Sequence, residues 1–268
     1  MTIAQELDAE LGIAQDITFP PGDLYSDEPP LESELHLRQI ILFLQCLEWL
    51  WRDRNDFYAA GNLTIYYSPY QSKSEHFRGP DFFVVLGTER KTRKSWVVWE
   101  ENGKYPNVII EILSKSTANT DRNLKKTIYQ DTFRTPDYFW FDPDTLEFAG
   151  FHLVDGEYQS LPTNEQGYLW SQQLGLYLGI HQRLLRFFTV DGQLALTPEE
   201  TAQQAEQQLE QAEQQLEQAE QQLEQSEQQL EQSEQQLEQV EQQLEQAEQR
   251  AERLAAKLRE LNIDPDII

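Results

Sequence analysis

Residues 106–113, PNVIIEIL, decide how the rest of the chain is read. Val108 to Leu113 is a short apolar run with a polar break on either side, which is the pattern of a buried strand. Glu111 stands in the middle of it. An ionised carboxylate inside such a strand is costly unless something pairs with it. An arginine salt bridge or a strand with one wet face meets that need, and for a lone acid these are the commoner solutions. A divalent cation shared with a second carboxylate is another.

A second carboxylate lies upstream. GPDFFVVLG (79–87) is another apolar strand, and Asp81 opens it after Gly79-Pro80. Downstream, the stretch STANTDRNLKKTIYQDTF (116–133) predicts a helix from about Asp121 to Phe133. Leu124 and Ile128 share its anchoring face, and Lys125 and Tyr129 lie about 100° round from them. Lys125 can therefore reach a site beside the sheet with its stem packed and its ammonium at the polar edge. Lys126 is expected to face solvent. Residues 31–53 predict a first helix with Leu35, Ile40, Ile41, Leu44, Leu47, Leu50 and Trp51 on its apolar face. Further strands are expected at 63–67, 96–99, 138–141 and 146–154, and more strands or short turns at 157–161, 174–178 and 184–190. The pattern is a mixed α+β layer rather than a regular βαβ winding. No glycine-rich loop precedes a helix, so phosphate-loop nucleotide folds have no support.

The last quarter of the chain has a different composition. Residues 199–268 hold 19 acidic and 4 basic side chains, and no Phe, Tyr or Trp. The unit AEQQLEQ repeats from Ala205 with period seven. Leu falls at heptad position a and a small residue at d. Glutamates at b and e form a like-charge stripe. They would face each other in an antiparallel pair but face glutamine in a parallel one, so the spacing favours a parallel homo-oligomer. Thr197-Pro198-Glu199-Glu200 reads as a helix start: Thr197 caps, Pro198 suits the first turn, and Glu200 completes a capping box. The expected divisions are an N-terminal extension (1–30), a folded domain (31–196), a heptad coil (197–262) and a short tail (263–268).

The formal net charge of −26 argues against indiscriminate coating of nucleic acid. Within it, residues 90–126 carry nine basic and four acidic side chains. That local excess suits a phosphate-bearing substrate if it lies beside the acids, and a solvated basic hairpin if it does not. Cys46 is the lone cysteine, so neither an internal disulfide nor a multi-cysteine zinc site is available. The four histidines show no ligand spacing. His76, five residues before Asp81, is the one nearest a candidate residue; His36, His152 and His181 read as surface or packing residues. No apolar run is long enough to span a membrane. The start, MTIAQELDAELG, lacks a basic segment followed by an apolar block, so a cytoplasmic protein is expected.

Taken together, GPDFFVVLG, PNVIIEILSKST and DRNLKKTIYQDTFRTPDYFWFDPDT resemble the Uma-two family of restriction endonucleases, which is similar to the PD-(D/E)XK nuclease superfamily. The likeness runs over roughly residues 30–190. It implies a restriction-endonuclease-like mixed sheet flanked by helices, here followed by the coiled-coil helix. It implies a Mg²⁺- or Mn²⁺-dependent endonuclease that hydrolyses DNA phosphodiester bonds. Asp81 and Glu111 match the acidic ligands, the backbone carbonyl of Ile112 is a further ligand, and Lys125 matches the catalytic lysine. The superfamily's lysine two residues after the glutamate is replaced by Leu113, which leaves Lys115 as an alternative to Lys125. Glu34 resembles an acid on the first helix of such enzymes. An inactive nuclease fold serving as an interaction scaffold is the competing reading, favoured by the overall charge and the displaced lysine.

Overall fold

The computed structural model describes residues 22–26, 28, 31, 33–68, 79–114 and 125–260. In chain order these form α1 (Glu34–Leu50), β1 (Phe57–Gly61), β2 (Ile65–Tyr66), β3 (Phe82–Leu86), β4 (Trp96–Val97), β5 (Val108–Ile112), a π-helical turn (Ile128–Phe133), β6 (Asp137–Phe141), β7 (Phe148–Val154), β8 (Glu157–Ser160), β9 (Leu169–Ser171), β10 (Leu176–His181), β11 (Leu184–Phe188) and α2 (Pro198–Glu260). Six strands make one sheet in the order β1-β3-β5-β6-β7-β8; β11-β10-β9 make a second, and β2 pairs with β4.

Within the large sheet every neighbour pair is antiparallel except β5 and β6. A parallel pair cannot be closed by a tight turn; it needs a crossover over one face of the sheet. The chain from β5 to β6 is that crossover, and it lays the helical residues 125–133 on the sheet. Side chains along β3 and β5 then alternate. Phe82, Val84, Val108, Ile110 and Ile112 face a core shared with Ile40, Phe43 and Leu47 of α1 and with Leu178, Leu185 and Phe187 of the small sheet. Phe83, Val85 and Ile109 face a second core with Tyr129, Phe133, Tyr138, Ile65 and Trp96. Two apolar layers on one sheet explain why these strands read as continuous hydrophobic runs.

The first helix buries Ile40 and Leu47, with Trp51 just beyond it, as expected, but the rest of its buried stripe differs. Its buried residues are His36, Gln39, Ile40, Phe43, Cys46 and Leu47, whereas Leu35, Ile41 and Leu50 are exposed. The two polar members have partners to meet. Gln39 sits against the edge strand β11, where its Nε2 donates to the Leu185 carbonyl at 2.7 Å and its Oε1 accepts from the Leu185 amide at 3.1 Å. The carboxamide thus supplies the strand with the pairing an edge lacks. Strands β1 and β9 were not expected; Ala59-Ala60-Gly61 has little strand propensity and is held by its pairing with β3.

Compact contacts divide the chain after Thr201. The capping box forms as expected: the Glu200 amide donates to Thr197 Oγ1 at 3.1 Å, and Glu200 Oε2 accepts from the Thr197 amide at 2.8 Å. Glu200 also takes two hydrogen bonds from the buried Arg186, at 2.8 and 2.6 Å. Beyond this point α2 runs on as a single helix with no buried residue, and its heptad leucines from Leu209 to Leu244 are each about 60% exposed. Its 63 residues span roughly 95 Å.

Replacing Gln39 by Leu should leave a buried N–H and a buried carbonyl without partners, at a cost of about 2–4 kcal/mol. Urea unfolding should show a lower midpoint at an unchanged slope; an unchanged midpoint would contradict the role given to Gln39.

Candidate active site

Register brings the two acids together. Phe82 of β3 pairs with Ile110 of β5 in an antiparallel ladder, so one step outward Asp81 stands opposite Glu111. Directly opposed residues project to the same face with Cβ atoms about 4.5–5.5 Å apart. Two carboxylates separated by thirty positions in the chain thus become neighbours, and the Asp81 carboxyl is in contact with that of Glu111.

The approach to Asp81 is narrow. A Cβ on Gly79 would meet the Leu63 carbonyl, so only glycine allows the chain through. Pro80 has no N–H to offer β5. The Asp81 side chain meets a donor of β5 instead: its Oδ2 accepts from the Ile112 amide at 2.7 Å. Its Oδ1 lies 2.9 Å from His36 Nε2 of α1. Burial pushes the Asp81 carboxyl up. The hydrogen-bonding contact with His36, the charges of Lys125 and His36, and the contact with Glu111 outweigh it and hold Asp81 below the usual carboxylate range.

Glu111 is fully buried, and the crossover supplies its donors. Lys125 Nζ reaches Oε2 at 3.0 Å, and the Tyr129 hydroxyl donates to Oε1 at 2.5 Å. Lys125 and Tyr129 are four residues apart and share one face of the helical turn. The Tyr129 ring is fixed between Phe133 and Tyr138. Burial first, then the Glu111 charge and hydrogen bond, push the Tyr129 hydroxyl well above its ordinary range, so it remains a donor. Side-chain exposure rises from none at Glu111 through 9% at His36 and 13% at Asp81 to 15% at Lys125, so the cluster opens on the Asp81–Lys125 side.

Of the residues expected from sequence, Asp81, Glu111 and Lys125 meet here. Ile112 is present through its amide, which Asp81 occupies. Tyr129 donates to Glu111. Lys115, Asp121 and His76 lie outside the described residues. Lys126 does not face open solvent: its Nζ sits 3.5 Å from the centre of the Phe151 ring. Glu34 points away from the site and pairs with Arg38, both more than two-thirds exposed. His36, read from sequence as a surface or packing residue, is what α1 sends to the site. Ser33 caps α1 by accepting from the His36 amide at 3.2 Å. From there 36, 40, 43 and 47 make one buried stripe, a spacing visible in the sequence.

Of the nine basic residues of 90–126, Lys125 is beside the acids, but Arg90, Lys91, Arg93, Lys94 and Lys104 sit in a loop that is not. It follows Leu86 and precedes Val108, so it lies at the far ends of β3 and β5, about 13 Å along the strands from the acid pair. Four of its basic residues are also paired with acids. Arg90 pairs with Glu48, Lys91 with Glu89, Arg93 with Glu101 and Lys94 with Asp23. Two surface clefts of about 320 and 200 Å³ open at this loop and are lined by both signs of charge. A second buried acid, Asp137 at the start of β6, accepts from Ser171 and the Gln173 amide and contacts His152. It ties the large sheet to the small one.

The six-stranded mixed sheet with one parallel crossover, followed by a long C-terminal helix, makes this an α+β domain. The chain belongs to the Uma2 family, described as "Putative restriction endonuclease", whose model matches residues 9–191. Among solved structures it is similar to a putative nuclease belonging to DUF820 from Anabaena variabilis ATCC 29413. The identity is 13% and the TM-score 0.41, over 54% of this chain and 76% of that one. The comparison with curated proteins gave no match. No described helix is long and apolar enough to cross a membrane.

Tyr129→Phe keeps the ring and removes the donor. It should destabilise the fold by about 1–3 kcal/mol, because a buried carboxylate oxygen loses its partner. Chemical denaturation of the two proteins checks this; equal midpoints would mean Tyr129 does not support Glu111.

Proposed function

We propose that the chain is a divalent-metal-dependent endonuclease acting on DNA phosphodiester bonds, with its active site at Asp81, Glu111 and Lys125. The observation that carries this is the fully buried Glu111 in contact with Asp81 and with a lysine ammonium at 3.0 Å. Two carboxylates in contact in a site shielded from water call for positive charge or a shared proton beside them; Lys125 supplies one charge, and a divalent cation would meet both acids at once. The donor set therefore fits Mg²⁺ or Mn²⁺: hard oxygens from Asp81 and Glu111, with the Ile112 carbonyl that the family resemblance adds.

Such an ion, when bound, polarises a phosphate oxygen and makes a coordinated water a better nucleophile. The chain's own groups do the rest. The Ile112 amide and His36 fix Asp81 from two sides. Tyr129 keeps Glu111 pointed out of its strand. Lys125, the most exposed member, can orient the attacking water or stabilise negative charge that develops on the phosphorus oxygens. The scaffold reading draws support from the net charge of −26 and the neutralised basic loop, and one assay separates the two. Mg²⁺-dependent nicking of plasmid DNA should fall about 100-fold or more in Glu111→Ala and in Lys125→Ala. Nicking that is unchanged in both variants would leave the scaffold reading in place.

We also propose that a second copy of the chain covers the leucine seam of α2 in parallel register. The seven-residue leucine spacing, the exposure of the seam leucines from Leu209 to Leu244, and glutamate at e facing glutamine at g all support that partner. Sedimentation equilibrium should show the full-length chain as a dimer or larger oligomer and the Leu223→Asp/Leu230→Asp chain as a monomer. Equal masses would contradict assembly through the seam.

A further inference from the structure

Lys126 is charged, half-buried and, among the described residues, without a carboxylate partner. Its Nζ lies 3.5 Å from the centre of the Phe151 ring. A lysine on a helical turn ordinarily keeps its head in water. Here burial draws the ammonium below the ordinary lysine range. A cation over an aromatic face is a modest hold, weaker than a charge-assisted contact with phosphate oxygens. The other described cations of 90–126 are engaged: Arg90, Lys91, Arg93 and Lys94 pair with acids, Lys104 meets the Gly87 carbonyl, and Lys125 meets Glu111.

Register places Lys126 on the face that carries the acid pair. Glu111 of β5 stands opposite Trp140 of β6, and Trp140 opposite Ala149 of β7. Phe151 is two residues further along β7 on that face, stacked on Tyr138. Two strand spacings and a two-residue step put it about 12 Å from Glu111. Consecutive helical residues point about 100° apart, so Lys125 reaches back to β5 and Lys126 reaches on to β7. The two ammonium groups straddle β6. At about 3.4 Å of helix axis per base step, about 12 Å is three or four steps of one strand.

We propose that Lys126 binds a backbone phosphate of the substrate strand a few nucleotides from the scissile bond, and that the Phe151 ring holds it ready for that phosphate. This rests on the nuclease reading above and adds to it a residue that positions the substrate. Lys125 serves the reacting phosphate and Lys126 a flanking one. Such a contact carries no sequence information, but it fixes the register and orientation of the strand. On a chain whose net charge of −26 repels nucleic acid, two cations on one side of the acids give the strand a defined path.

The test is Mg²⁺-dependent nicking of plasmid DNA by the full-length chain, followed over DNA concentration and over salt. In Lys126→Ala and Lys126→Gln, checked for folding by circular dichroism, KM should rise about tenfold with kcat held within about twofold. The slope of log kcat/KM against log salt concentration should become shallower by about one, the share of a single phosphate. Lys126→Arg should restore both. A lysine that only packs on Phe151 would shift the melting temperature of the Ala and Gln variants and leave the salt slope alone, which overturns the proposal. Unchanged KM and slope beside an active wild type overturn it too, and leave the site at Asp81, Glu111 and Lys125 standing. So does a fall in kcat at an unchanged slope. A wild-type chain with no Mg²⁺-dependent nicking overturns the nuclease reading and the subsite together.

Discussion

The domain is organised around one constraint, the carboxylate of Glu111 placed where water does not reach. Leaving such a group unpaired in the interior costs several kcal/mol, comparable to the whole stability of a domain. The fold meets the constraint from the crossover. Lys125 supplies charge and Tyr129 supplies a neutral donor, one to each oxygen. Asp81, across the ladder, is met in the same way by the Ile112 amide and His36. Each acid therefore has a backbone or helix partner set by topology rather than by a flexible surface side chain.

That topology has few alternatives. The parallel β5–β6 pair forces the crossover, and the crossover puts residues 125 and 129 over β5. The antiparallel β3–β5 pair fixes the register that opposes 81 and 111. The helix α1 closes the other layer, and its Ser33 cap sets which residue of the first turn faces inward. Sheet, helix and crossover meet at one end of the sheet, and there the acids and the cations are concentrated. The opposite ends of the same strands carry the ion-paired basic loop and the Asp137 tie.

Much of this was legible in the sequence. An acid inside VIIEIL and another opening DFFVVL are visible as violations of an apolar pattern, and Lys125 as a polar residue at the margin of a helical stripe. The capping box at Thr197–Glu200 is local chemistry and formed as read. What sequence could not supply was long-range pairing. Strand β1 exists because β3 lies beside it. The basic stretch, adjacent in sequence to Glu111, is carried to the far end by the length of β5. The helix face was misjudged because Leu35 and Ile41 look like core, while His36 and Gln39 do not. Both polar residues are buried because each has a partner more than forty residues away.

The central claim is that Asp81 and Glu111 share one cation beside Lys125. Anomalous diffraction from a crystal soaked in manganese addresses it most directly. A single peak should appear within coordination distance of both carboxylates. A map with no peak there, and with Glu111 still closed on Lys125 and Tyr129, would contradict it.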